Sequence, residues 1–184
     1  MHHIEATGPE ECNVLHKSML GGYHYVVEGC SRQYFDWWEA LERTRFFTTY
    51  RTLLEVLAPP HVPILLKSPF YVLDLALLRS LWPGAKFVAA SRPTNDYQRS
   101  FDALWAATAK LYGAQVDPRV AEMLRGRLRS SEATGSDEAD DLLVYDSANL
   151  RSNPRQCLSR VGEFLGCADL DIDRAEAVLS SALF

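Results

Sequence analysis

Pro63-Ile64-Leu65-Leu66-Lys67 and Lys86-Phe87-Val88-Ala89-Ala90-Ser91 are the two stretches that decide the fold class. Each is a short apolar run without the alternation of a half-exposed strand, so each reads as a strand covered on both faces. Between them Val72, Leu73, Leu75, Ala76, Leu78, Leu81 and Trp82 recur at helical spacing, and Pro83-Gly84 closes the run. Strand, helix and strand within about thirty residues predict a βαβ unit, whose parallel strands need such a crossover. The expected class is therefore α/β, a parallel sheet with flanking helices.

Downstream, Arg92-Pro93-Thr94-Asn95-Asp96 is a polar turn, with Asn95 or Asp96 placed to cap a helix. That helix carries Tyr97, Phe101, Leu104, Trp105, Leu111 and Tyr112 and stops at Gly113. Asp117-Pro118 opens another, running to roughly Arg129, and residues 130–138 read as a polar surface loop. Leu142-Leu143-Val144-Tyr145 is a third strand. Asn153-Pro154 starts a helix that Gly166 ends, and Asp171 or Asp173 starts the last one.

Upstream, the first sixty residues read as helical. Thr7-Gly8-Pro9-Glu10-Glu11 begins a helix with Val14, Leu15, Met19 and Leu20 as its apolar face, stopped by Gly21-Gly22. Ser31 caps a second, bearing Tyr34, Trp37, Trp38 and Leu41. A third carries Phe46, Phe47, Tyr50, Leu53, Leu54 and Leu57 and ends at Ala58-Pro59-Pro60. Aromatics at this spacing read as core, not as a ligand box. The whole chain is expected to form one domain over residues 1–184, with 1–60 helical and 61–184 the α/β core.

Composition narrows the function. The 184 residues are 47% hydrophobic and 23% charged, the balance of a globular protein. A net charge of −5 argues against a nucleic-acid face, but two or three placed cations suffice for a phosphorylated ligand. Cys12, Cys30, Cys157 and Cys167 form no Cys-x-x-Cys pair, and the five histidines show no metal spacing. Free thiols in a reducing compartment follow. With no apolar leader and no run of the ~20 apolar residues a membrane helix needs, the expectation is a cytoplasmic protein.

Chemistry concentrates where the strands end, because ligands of open α/β sheets bind beyond the carboxyl ends of the strands. Lys67 closes one strand and Arg92 follows the next; Ser100 lies eight positions after Arg92, on the early turns of the following helix. A guanidinium leaving a strand and a hydroxyl on the next helix suit one anion, with the helix dipole adding to the site. A solvated turn arginine and a surface serine satisfy the same spacing.

Leu65-Leu66-Lys67-Ser68-Pro69, then Leu81-Trp82-Pro83-Gly84-Ala85-Lys86-Phe87-Val88, then Arg92 with Ser100, resembles the sulfotransferases that use 3′-phosphoadenosine-5′-phosphosulfate (PAPS). The likeness is to bacterial-type members with a Leu-Lys-Ser-Pro motif. It extends to Leu142–Tyr145 and to Val161-Gly162-Glu163-Phe164-Leu165-Gly166. The resemblance implies a P-loop-like sulfotransferase core, with Arg92 and Ser100 on the 3′-phosphate of PAPS and Lys67 beside the transferring sulfuryl group. It implies no metal. The implied partner is a small-molecule, glycan or other acceptor presenting a hydroxyl or amine, met on the side of residues 1–60.

Three departures stand out. Arg92 is followed by Pro93-Thr94 where the family has Asp-Pro. Tyr71 stands where relatives carry a histidine, and an ordinary phenol is a poor base at neutral pH. Nothing in the sequence fits the Gly- and Thr-rich loop that holds the 5′-phosphosulfate, so the chain reads as a fragment or a divergent member. The alternative function is a non-catalytic remnant of the fold, binding nucleotide or acting as a scaffold. A kinase-like enzyme is disfavoured, because it too needs a phosphate loop.

Overall fold

The computed structural model describes residues 12–28, 32–58, 61–113, 115, 117–134, 139–167 and 169–182. The chain divides into two compact units. One comprises residues 1–83 and 100–128, the other 84–99 and 129–184.

The first unit is helical. It begins with α1 (Asn13–Ser18), α2 (His24–Val27), α3 (Arg32–Ala40) and α4 (Arg43–Leu57). Of the expected faces, Trp38 on α3 and Phe47, Tyr50 and Leu54 on α4 are buried, whereas Trp37 and Leu57 are exposed and Phe35, which the spacing did not single out, goes inside. Rings on these helices meet edge to face, as aromatic quadrupoles prefer: Trp38 stands 5.0 Å from Phe46, and Phe46 5.3 Å from Phe47. The aromatic run is core. The expected face of α1 is not: Val14 and Leu20 are exposed, and His16 is buried instead. One-and-a-half turns allow only one inward side chain, and α1 spends it on an imidazole. The start predicted at residues 7–11 and the Ser31 cap lie outside the described residues.

After α4 the chain runs extended through Val62–Ser68, and here the structure corrects the sequence. Pro63–Lys67 joins no ladder among the described residues, and Leu65 is 87% exposed. A 3-10 turn over Tyr71–Asp74 then leads into α5 (Leu75–Leu81).

The second unit holds the sheet. β1 (Phe87–Ser91) pairs in parallel with β2 (Leu142–Asp146), Phe87 opposite Leu142 and Ser91 opposite Asp146. Both strands were legible; the partner of β1 was not. The parallel neighbour comes from residue 142 onward, with α6 (Thr94–Leu111) and α7 (Pro118–Thr134) between in the chain. α6 starts directly behind Pro93, whose carbonyl accepts from Asp96 N (2.9 Å) and Tyr97 N (3.1 Å), earlier than the predicted cap. Phe101 and Trp105 are buried, whereas Leu104, Leu111 and Tyr112 are exposed. Gly113 ends the helix at φ 64°, which glycine adopts without strain.

Asp117 opens α7 by accepting from Arg119 N at 2.8 Å. α7 continues to Thr134, through part of the stretch expected to be a loop; residues 135–138 are not described. After β2, Asp146 caps α8 (Ser147–Ser152) by accepting from Ala148 N at 2.8 Å. α9 (Pro154–Leu165) carries its proline in the first turn and ends at left-handed Gly166. α10 (Ile172–Ala182) follows Asp171, whose carboxylate accepts from Arg174 N at 3.0 Å.

Candidate functional site

The rim at the carboxyl end of the parallel pair is formed by Ser91, the last residue of β1, by Arg92 directly after it, and by Asp146 at the end of β2. Arg92 is exposed, and among the described residues it has no ion-pair partner. The neighbouring charges are already engaged. Asp146 serves as the α8 cap, and Asp96 pairs with Arg99 at 2.5 Å. Ser91 Oγ donates to the Tyr145 carbonyl (3.3 Å), and burial pushes the Tyr145 phenol above its ordinary range. An unengaged guanidinium at a strand end, with the first turn of an 18-residue helix beginning two positions on, is chemistry suited to an anion.

Ser100 is exposed on α6, and among the described residues its hydroxyl makes no hydrogen bond. The division of the chain falls between Arg99 and Ser100. The two residues expected to share a phosphate therefore belong to different compact units, and each is placed within its own.

Lys67, in the first unit, is exposed at the end of the extended segment. Its peptide is tied to Cys12 at both polar atoms. Cys12 N donates to the Lys67 carbonyl (2.8 Å), and Lys67 N donates to Cys12 Sγ (3.1 Å). Tyr71 places its hydroxyl 3.0 Å from that of Tyr50 and 3.5 Å from His16 Nε2. Burial raises both phenols well above the usual tyrosine range. The Tyr71 phenolate is thus even scarcer at neutral pH than that of a free phenol.

Two histidines lie in the interior. His16 is 5% exposed and His24 4%. Burial lowers their pKa values to about 4 and about 3, with His16 and Lys17 adding to the effect at His24. Both rings are neutral near pH 7, and neither nitrogen of His24 finds a hydrogen-bond partner among the described residues. No local spacing distinguishes such histidines from surface ones.

A second polar cluster ties the helices of this unit together. Arg43 Nε lies 3.1 Å from buried Asp74, and Arg43 Nη1 donates to the Tyr23 hydroxyl at 2.7 Å. Tyr23 in turn donates to Glu39, which also meets Arg127 Nε at 3.1 Å. A shallow groove lined by Phe35, Asp36, Glu39, Met123, Gly126 and Arg127 opens beside it. Its charges are already matched, Asp36 by Arg32 at 2.8 Å and Glu39 by Arg127.

Two parallel strands set among helices place the protein among mixed α/β proteins. The model of the sulfotransferase family matches residues 1–171, and the chain belongs to that family. No curated protein and no solved structure matches the chain closely enough to add to that assignment. No helix of the described residues is long and apolar enough to cross a membrane.

Proposed function

We propose that this chain binds PAPS as sulfuryl donor and passes the group to a hydroxyl or amine acceptor, with residues 1–184 acting as one sulfotransferase-like domain. The observation that carries this reading is Arg92: exposed, without an ion-pair partner among the described residues, at the carboxyl end of β1, inside the matched family region. When bound, PAPS would supply an activated sulfuryl group: the acceptor atom would bond to sulfur and give up its proton to solvent, while the sulfur–oxygen bond to the 5′-phosphate breaks and adenosine 3′,5′-bisphosphate leaves. Arg92 and Ser100 hold the 3′-phosphate. A guanidinium fork and a hydroxyl donor match the phosphate oxygens, each charge-assisted bond contributing about 1.5–3 kcal/mol. Lys67 offsets negative charge on the transferring group by its ammonium, by analogy with phosphoryl transfer.

Calorimetry with adenosine 3′,5′-bisphosphate tests the grip. Arg92→Ala is expected to weaken binding by about ten- to a hundredfold, while adenosine 5′-phosphosulfate, which lacks the 3′-phosphate, is insensitive to the substitution. Equal affinity of wild type and Arg92→Ala for the bisphosphate overturns the assignment. Transfer of radiolabelled sulfate from PAPS to a panel of phenols, sugars and amines tests the reaction. Binding without transfer leaves the chain a nucleotide-binding module.

A further inference from the structure

The segment bearing Lys67 joins no strand ladder among the described residues, and Cys12 meets it with both its backbone N–H and its sulfur. Cys12, at the head of α1, closes a two-point tie on the Lys67 peptide, 2.8 Å at the carbonyl and 3.1 Å at the N–H. The same thiol lies beside the hydroxyls of Tyr50 and Tyr71. One turn along α1, His16 N donates to the Cys12 carbonyl (3.2 Å), and the His16 ring stands edge-on to both tyrosine rings, at 4.7 Å and 5.6 Å. Tyr71 reaches back into this cluster from four residues beyond Lys67, with Tyr50 its nearest partner at 3.0 Å. The backbone from 67 to 71 is thus pinned at both ends by α1 and α4, all within the first unit.

Two consequences follow from this geometry. A phenol committed to Tyr50 and His16 is turned inward, toward the protein. A lysine whose own peptide is bonded at both polar atoms starts its side chain from a fixed point, which removes backbone freedom that would otherwise be lost on reaching a transition state. Resting on the reading of Lys67 as a reaction-centre cation, we propose that Cys12 and Tyr71 are positioning residues, a polar clamp that sets the origin of the Lys67 side chain, and that Tyr71 is not the proton acceptor.

Amide exchange and kinetics on the full chain test the clamp together. In Cys12→Ala the Lys67 amide should exchange about three- to tenfold faster, the effect of one lost hydrogen bond, and Cys12→Ser, which restores an acceptor, should recover most of the protection. Steady-state transfer should show kcat lowered by about the same factor in Cys12→Ala and in Tyr71→Phe, with KM for PAPS and the shape of the pH profile unchanged. Unchanged Lys67 exchange in Cys12→Ala overturns the clamp whatever the chain catalyses. A Tyr71→Phe variant that loses a limb of its pH profile makes Tyr71 the base and overturns the positioning role. A wild-type chain that transfers nothing defeats the functional reading, while faster exchange in Cys12→Ala still establishes the clamp.

Discussion

Arg92 leaves β1 with a proline directly behind it, so its backbone is biased toward an extended form and its side chain is presented at the sheet end. Arg92→Lys keeps the charge but loses the planar fork; bisphosphate affinity is expected to fall, by less than in Arg92→Ala, when both are measured by calorimetry. The buried histidines make a separate prediction. Their folded pKa values, about 4 and about 3, lie below the ordinary 6.5, so below pH 6.5 the unfolded chain takes up more protons than the folded one. Stability therefore falls as the pH drops from 7 to 5, by on the order of 1–2 kcal/mol per histidine. Asp74 works in the opposite sense. Burial raises it to about 6 against the pull of Arg43, so its contribution is present below about pH 4 and is lost as the pH rises through 6. Urea titrations across this range should show net acid destabilisation, flattened in His24→Phe. An unaltered slope in that variant would place the His24 proton elsewhere.

At the scale of elements, capping chemistry was the most legible feature. Asp117 before α7, Asn153-Pro154 before α9, Gly166 after it and Asp171 before α10 all stand at the helix ends that their residue types suggest. Gly166 sits at φ 75°, where a side chain is strained, so Gly166→Ala should cost about 1 kcal/mol in urea unfolding. α8 follows β2 without a loop, because Asp146 is both the last residue of β2 and a side-chain cap. Pro63–Lys67 went the other way. Its apolar run satisfies strand periodicity, yet Cys12, not a ladder, meets the Lys67 peptide. The Arg43–Asp74 pair joins α4 to the 3-10 turn, and its partners are spread over thirty residues with no motif to announce them. Asp74→Ala removes one of two carboxylates at the largely buried Arg43 guanidinium, Glu39 remaining at 3.4 Å, and should destabilise by about 1–2 kcal/mol in the same assay.

For the molecule as a whole, a net charge of −5 means that anion binding rests on local cations and not on a general field. Bisphosphate at a hundredfold excess over its Kd should stabilise the folded chain by about 2.7 kcal/mol. For a chain of this length that is roughly 5–10 °C in thermal midpoint. At the same concentration the stabilisation should fall to about 0.4–1.4 kcal/mol in Arg92→Ala; a shift of full size there places the nucleotide on other residues.

The sequence by itself determined which stretches are helix and which are strand at β1 and β2, where most helices stop, and the motif block that carries the family likeness. These are short-range matters of periodicity, capping and backbone preference. Tertiary structure alone decided that β1 takes β2 as its parallel neighbour, that His16 and His24 go inside, and that Cys12 meets Lys67 across fifty-five positions. The physical reason is that a hydrogen-bond partner or a buried neighbour is chosen by the packing of distant segments, and no local spacing encodes that choice.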